Sequence, residues 1–353
     1  MSIKSEAKKW SGERIIACLF INSIYCWVQL STSFTHYCCL MIMSAAAESE
    51  TEGMPMQCCA SCGIAGIDDI KLKDCDDCDL VCYCSDACRE LHRPEHAGKC
   101  RKRATELRDE LLFKQPESSH FGDCPICCVP LPIDPLKSKL YACCSKRICT
   151  GCNFANQKRE IRGRLQRKCP FCREAVPETE EEMNEQWRKR IEANDPVAMR
   201  EMGWDRYSEG DYKAAFEYWS KAAALGNVEA HYQLSTLYHY GKGVERDEKN
   251  ALHHAETAAI GGHPTARYNL GCTERGNGQH NRAAKHFIIA AKLGFDASLE
   301  RVKELYKAGN VSKEDFTAAL RGYQTVIEAT KSPQRKEVEE YEEWVAERKR
   351  RGV

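Results

Sequence analysis

Residues 58–100 read CCASCGIAGIDDIKLKDCDDCDLVCYCSDACRELHRPEHAGKC, and three shorter runs follow: CPICC at 124–128, CCSKRICTGC at 143–152 and CPFCR at 169–173. Eighteen of the 23 cysteines of the chain fall between Cys58 and Cys172, most of them in C-x2-C pairs. One set comprises Cys59 with Cys62, Cys75 with Cys78, Cys84 with Cys88, and His96 with Cys100. A second comprises Cys124 with Cys127, the adjacent Cys143 and Cys144, Cys149 with Cys152, and Cys169 with Cys172. Each set offers eight candidate ligands, enough for two tetrahedral zinc ions with every position filled by protein. Closed sites of this kind are structural. Any activity then comes from the surface that the metal-folded modules present.

Disulfides are the rival reading of dense cysteine, but they belong mainly to oxidising compartments and small secreted domains. The repeated two-residue gap and the His-x3-Cys pair favour metal. Each module has about fifty residues, a size that is marginal on core burial alone. Structural zinc contributes roughly 10–16 kcal/mol of apparent binding free energy, so metal rather than apolar core decides whether such modules fold. Cys58, Cys82 and Cys128 are left over, either as spare thiols beside the sites or as neighbours that could ligate in place of the adjacent cysteine.

The 353 residues are enough for two or three domains, and Lys plus Arg balances Asp plus Glu at 52 each. No net field therefore favours nucleic acid or a membrane surface. The segment 1–54 contains an apolar run, IIACLFINSIYCWVQL at 15–30, preceded by Lys4, Lys8, Lys9 and Arg14. It admits three readings: a tail or gene-model extension with translation starting at Met41, Met43 or Met54, a membrane span within 15–43, or a cleaved signal. A span would place the fingers outside the cytosol by the positive-inside rule, away from reduced thiolates.

The order C-x2-C, C-x2-C, Y-C-x3-C, H-x3-C over 55–101 resembles the MYND-type zinc finger, with Tyr83 before Cys84. That resemblance implies interleaved pairs: Cys59, Cys62, Cys84 and Cys88 on one ion, Cys75, Cys78, His96 and Cys100 on the other. It also implies a module that binds short peptides. Leu91-His92-Arg93 departs from the family's usual Gln and Trp, and His92 is left out of the ligand set. Residues 102–120 follow as a polar linker helix with Leu107, Leu111 and Leu112 on one side, ended by Pro116 and Ser118-Ser119.

Residues 121–177 resemble a RING-type finger, which implies Cys124, Cys127, Cys149 and Cys152 on one zinc and Cys143, Cys144, Cys169 and Cys172 on the other. Lys146 stands where the family's central histidine would fall, so the vicinal Cys143-Cys144 pair supplies both ligands, as in all-cysteine variants. RING fingers hold a ubiquitin-charged conjugating enzyme in a reactive arrangement, an orientation effect. The family's contact residues map onto Ile126 and Pro170, and Arg173 matches its linchpin arginine, whose planar fork can donate to two carbonyls. Phe154, Ile161 and Leu165 mark an amphipathic helix between Cys152 and Cys169, with a basic outer face.

A charged linker at 178–194 leads into different sequence. Over 195–331 alanine and tyrosine rise, and AAALG, AAIG and AAKLG end at Gly226, Gly261 and Gly294. Each unit of about 35 residues reads as two helices, with Asp211 and Asp247 as N-caps and glycines past the ends. Tyr240-Gly241-x-Gly243-Val244 followed by Asp247 and Ala258-Ala259 resembles Sel-one-like repeats, which implies a superhelix that binds other proteins. The fourth unit, 295–331, is degenerate and reads as a cap. Tyr218, Trp219, Tyr232 and Tyr268 read either as lining of the superhelix's concave face or, as is commoner at helical spacing, as core, and His253 and His254 as surface residues. The segment 332–353 is a last helix begun by Ser332-Pro333, its Val338, Tyr341 and Val345 stripe expected on the final repeat.

The fold class is therefore multidomain: two small cross-braced zinc-finger modules followed by an all-α helical-repeat solenoid. The leading function is a RING-type ubiquitin ligase carrying four zinc ions. It recruits a ubiquitin-conjugating enzyme through the second finger and substrate proteins through the repeats, in the cytoplasm or nucleus. The alternative is a non-catalytic scaffold that joins protein partners. A zinc hydrolase is disfavoured, because no open metal position or catalytic Glu-His pair appears.

Overall fold

The computed structural model describes residues 58–66 and 71–351. The apolar run at 15–30, with its three readings, lies outside the described residues. Among those described, no helix is long and apolar enough to cross a membrane. The chain divides into two compact units between Leu107 and Arg108.

In the first unit a two-residue strand β1 (Lys73–Asp74) pairs antiparallel with β2 (Cys82–Tyr83), and helix α1 (Asp86–Leu112) follows. The separate linker helix expected over 102–120 is the continuation of this same helix, which carries His96 and Cys100 and stops at Leu112. The physical reason is plain: the run RKRATELRDELL is mostly good helix formers, Thr105 and Asp109 apart, and contains no Gly or Pro to break it.

The second unit begins in the last turn of α1. The second finger is a hairpin, β3 (Ser138–Tyr141) with β4 (Lys146–Cys149), in the register Ser138 opposite Cys149, followed by α2 (Thr150–Gly163). Helix α3 (Glu180–Glu192) then leads into four helical hairpins. These are α4 (Pro196–Ser208) with α5 (Tyr212–Ala224), α6 (Val228–Tyr240) with α7 (Glu248–Ile260), α8 (Pro264–Gly276) with α9 (His280–Lys292), and α10 (Asp296–Lys307) with α11 (Lys313–Ala329). The last helix is α12 (Pro333–Arg351).

Small residues set the spacing of the stack. Ala198, Ala230 and Ala266, one in each of the first three hairpins, are fully buried. Trp219 and Phe287 fill the same place in alternate hairpins, packed on Gly203 and Gly271; a methyl at Gly203 would lie 2.5 Å from Trp219 Cδ1. Asp211 and Asp247 cap α5 and α7 as expected, accepting from Ala214 N and from Lys249 N and Asn250 N. Trp219 is wholly buried, whereas Tyr218, Tyr232 and Tyr268 are half-buried. His253 is exposed, but His254 turns inward, its Nδ1 2.9 Å from His231 Nδ1. The fourth hairpin packs its Val302, Leu305 and Ala319 against Phe287 of the third and so closes the core.

Helix α12 departs from expectation. Ser332 caps it, with Oγ accepting from Arg335 N, but the helix lies along α2 of the second finger rather than on the final repeat. Tyr341 meets Phe154 at a ring distance of 5.3 Å, and Lys158 pairs with Glu337. The approach needs Gly151, where a Cβ would sit 2.7 Å from Arg335 N. The face of α2 that is buried is thus the one carrying Gly151, Phe154 and Lys158, and Ile161 and Leu165 are left exposed.

His286 on α9 is fully buried against Phe113, with neither ring nitrogen bonded to another group. Burial, and then the charges of Arg267 and Arg282, depress its pKa to about 3. The folded state therefore refuses a proton that the unfolded chain takes up near pH 6.5, so stability is lost as pH falls below that value. Between pH 7.5 and 5 this single group should cost about 2 kcal/mol. Urea unfolding at the two pH values should show His286→Leu losing less stability than wild type by that margin.

Candidate metal centres

Three of the C-x2-C pairs are built alike. The first cysteine's N–H donates to the carbonyl five residues on: Cys59 to Ile64 at 2.8 Å, Cys124 to Val129 at 3.0 Å, Cys169 to Glu174 at 2.7 Å. Its carbonyl in turn accepts from the residue four on, which is Gly63, Cys128 or Arg173. Those three residues have φ of 75°, 54° and 66°. The left-handed residue closes a tight turn that aims both sulfurs at one point. This explains Cys128, which sits at the turn position and is exposed rather than spare beside the metal. Cys82 is buried, its thiol donating to Cys58 O.

The fold gathers the paired cysteines into four groups whose ligand atoms all lie within 4.8 Å of one another. These are Cys59, Cys62, Cys84 and Cys88; Cys75, Cys78, His96 and Cys100; Cys124, Cys127, Cys149 and Cys152; and Cys143, Cys144, Cys169 and Cys172. The described cysteines are free thiols. Sulfur pairs in direct contact lie from 3.3 Å apart for Cys172–Cys143 to 3.9 Å for Cys127–Cys149, the remaining pairs of each group lie within 4.8 Å, and Cys78 Sγ lies 3.2 Å from His96 Nε2. A tetrahedral ion with Zn–S bonds of about 2.3 Å separates its sulfurs by about 3.8 Å, so the donor sets fit zinc in spacing and in kind. His92 stands outside the ligands, stacked on His96 and paired with Tyr83 Oη at 3.1 Å.

The electrostatics of the groups reinforce that fit. A hydrogen bond from Cys149 lowers Cys124 to about 4. Burial opposes ionisation of Cys59, but the backbone N–H groups of Cys62, Cys84 and Ser61 outweigh it and hold the thiol at about 6. Their neighbours move the other way. The Cys62 and Cys88 contacts push Cys84 up to about 12, burial pushes Cys152 to about 12 and Cys143 higher still, and the Cys124 hydrogen bond, followed by burial, raises Cys149 well above its ordinary value. One thiolate per group is easy and four are not, unless a divalent cation supplies the balancing charge.

Of the expected contact residues, Ile126 is 41% exposed on its knuckle and Arg173 is exposed, its Nη1 donating to Asn156 Oδ1 at 3.2 Å. Pro170, however, is buried. The knuckle's outward apolar side chain is the next residue, Phe171, 45% exposed. The sequence reading missed it because proline and phenylalanine in a C-x2-C loop are equally plausible outward residues.

Two further contacts, invisible in sequence, fix the second finger within its unit. Buried Arg335 of α12 donates to Val129 O at 3.1 Å, Pro130 O at 2.7 Å and Thr330 O at 2.5 Å, with Nη2 3.9 Å from Cys127 Sγ. On the opposite approach, His120 donates from N to Gly262 O and from Nε2 to Glu229 Oε2, at 3.1 Å each. His263 joins the same oxygen at 3.0 Å. His120, Glu229 and His263 lie close enough to hold a metal, but the protons argue otherwise. His263 Nδ1 accepts from Ala266 N, so its Nε2 carries the hydrogen that goes to Glu229 and has no lone pair to give. The trio is a hydrogen-bonded latch. Its acceptor, Glu229, lies far below the ordinary carboxylate range: burial opposes ionisation, but the His120 and His263 hydrogen bonds override it.

Fold and centres together define a zinc-binding, multidomain protein of the interaction class: a cysteine-rich region followed by a helical-repeat solenoid. The family model of the MYND finger matches residues 59–100, and that of the Sel1 repeat matches 196–227, 228–263 and 264–295. A curated relative, an uncharacterized protein of Neisseria meningitidis serogroup B, is 36% identical over 98 residues, 24% of this chain and 21% of that protein. The chain thus matches about a fifth of its length. Among solved structures, the Sel1 repeat protein from Oxalobacter formigenes is 28% identical, with a TM-score of 0.38, over 44% of this chain and 66% of that one. A protective antigen with an SLR fold from uropathogenic Escherichia coli is 24% identical, with a TM-score of 0.35, over 47% and 37%.

Removing the Arg335 guanidinium takes a donor from three carbonyls at once, and only Val129 O keeps another, from Cys124 N. Arg335→Met should destabilise the second unit by on the order of 3 kcal/mol, read as a lowered urea midpoint with helix content retained in the absence of denaturant.

Proposed function

We propose that the protein is a RING-type ubiquitin ligase built on an interaction scaffold, with four zinc ions held by the sixteen side chains of the two fingers. The observation that carries the reading is the interleaving in residues 121–176. Two four-thiol groups share one small hairpin-and-helix core of Leu131, Tyr141 and Ile148, and each of two matching knuckles offers an exposed apolar residue. Ile126 and Phe171 are the docking side chains for a conjugating enzyme. Arg173, set in a left-handed conformation and steadied by Asn156, is the group that would donate to carbonyls of enzyme and ubiquitin. The finger makes no covalent bond itself; it restricts the charged enzyme's thioester to a reactive orientation. The repeats and the MYND-like finger select the proteins to be modified. Retention of reduced thiolates is consistent with a cytoplasmic or nuclear location.

The second reading, a scaffold without ligase activity, is favoured by one observation: Pro170, the expected second-knuckle contact, is buried. Purified protein incubated with activating enzyme, a panel of conjugating enzymes and ubiquitin separates the two. Wild type should form chains, and Ile126→Ala and Arg173→Ala should each reduce them at least about tenfold, as expected for lost orientation, with zinc content unchanged. Silence of wild type across the panel leaves the scaffold.

Metal stoichiometry tests the centres independently. Native mass spectrometry should give four zinc ions per chain, falling to three for each of Cys59→Ser, Cys75→Ser, Cys124→Ser and Cys169→Ser. A wild-type count of two would mean that one finger folds without metal.

A further inference from the structure

The chain balances its charges as a whole, but the second finger does not. Between Arg159 and Arg173 there are six cations, Arg159, Arg162, Arg164, Arg167, Lys168 and Arg173, against one acid, Glu160. Glu160 is buried and turned inward, its Oε1 accepting from Asn156 Nδ2 at 2.8 Å and Lys168 N at 3.0 Å. None of the six cations makes an ion pair among the described residues. The next acids along the chain, Glu174 and Glu178, are exposed and pair with none of them. On the packed helix α12, Glu337 is taken by Lys158 and Glu339 by Lys137. Arg159 and Arg173 both donate to one neutral oxygen, Asn156 Oδ1, at 3.0 Å and 3.2 Å. That contact holds two like charges side by side and offsets neither.

A second feature says what kind of partner fits. Residues 161–168, IRGRLQRK, are exposed without exception. Helix α2 ends at Gly163, and left-handed Arg164 returns its N–H to Glu160 O and Ile161 O. The run thus stands out from the finger as a convex end. Within it Ile161 is 78% exposed and Leu165 54%. Leu165 lies folded on Gly163, where a Cβ would sit 3.0 Å from its Cγ, so it is held at the helix end and still wet. A nucleic acid would satisfy the cations but leave both aliphatic side chains unused, because bases stack on aromatic rings or guanidinium planes. A peptide seeks a groove, and a run with every residue exposed offers none. An anionic lipid surface uses both features: headgroups for the cations, and the acyl boundary for Ile161 and Leu165.

We propose that the exposed end of α2 is a docking surface for an anionic phospholipid membrane. The surface is assigned without reference to ligase activity, or to the apolar run at 15–30, and stands or falls separately from both.

The test sediments the zinc-loaded full chain with vesicles of phosphatidylcholine alone and of phosphatidylcholine mixed with phosphatidylserine. Wild type should bind the mixed vesicles more tightly than the neutral ones, and salt should weaken that binding by screening. Arg162→Gln combined with Lys168→Gln should weaken it about tenfold or more, the scale of two cations at an anionic surface. Ile161→Ser combined with Leu165→Ser should weaken it several-fold through lost apolar contact. Lys213→Gln combined with Lys313→Gln, the same charge change on exposed positions of the repeats, should leave it as in wild type. All these side chains are exposed, so zinc content and helix content should be retained in every variant. Loss of binding in the first two variants separates this surface from the run at 15–30. The proposal is overturned if phosphatidylserine adds nothing to binding, or if either of those two variants binds as wild type does. It is equally overturned if a single-stranded RNA oligomer binds through Arg162 and Lys168 while the vesicles do not.

Discussion

Everything in the cysteine-rich half depends on charge balance at four points. Each group of four donors can release one proton readily, and each further thiolate is repelled by the first in surroundings that water only partly screens. A divalent cation reverses the sign of that repulsion, turning mutually hostile side chains into a cross-link. Because the pairs interleave, an ion in each group would tie residues far apart in sequence, Cys59 to Cys88 or Cys143 to Cys172. Such ions would close a module whose apolar core is only a handful of side chains. The knuckle geometry is how the backbone meets the demand: one left-handed residue, Gly63, Cys128 or Arg173, after each second cysteine.

The repeats solve the opposite problem, with apolar contact in place of metal. Alanine and glycine at recurring places bring helices together, and Trp219 and Phe287 fill the space so made. The two solutions are joined within one compact unit. Helix α3 buries Trp187 beside Ala142 of the finger's hairpin and Ala198 and Met202 of the first repeat. Arg335 binds the finger's loop carbonyls from one direction, and the His120–Glu229–His263 latch holds the approach to it from the other. The finger is therefore presented in a fixed attitude to whatever the repeats bind.

Much of this was legible in the residues. Thiol spacing identified the pairs, since a metal's geometry translates directly into short gaps such as Cys149-x2-Cys152, and the two family resemblances supplied their interleaving into four groups. The caps Asp211 and Asp247 and the buried alanines were equally visible, because they report local constraints. What escaped was non-local. Arg335 sits in a charged helix, PQRKEVEE, where nothing separates it from its solvated neighbours. His263 lies just before Pro264, an N-cap position that could have been noticed, but its partner Glu229 belongs to another hairpin. The docking of α12 was misjudged because an apolar stripe of Val338, Tyr341 and Val345 says that a helix is covered, not by what. The burial of Pro170 and exposure of Phe171 turned on side-chain direction within a loop, which residue type does not determine.

The clasp between Arg335 and the loop after Cys127 also has a temporal side. During synthesis the ribosome releases residues 121–176 long before Arg335 is made, so the Pro130 carbonyl, and the second bonding position of Val129 O beside Cys124 N, wait on water while every repeat emerges. The finger can take up its ions early, but it reaches its settled packing only after the solenoid has been delivered. Assembly of this unit is thus ordered, with the final helix as its closing step.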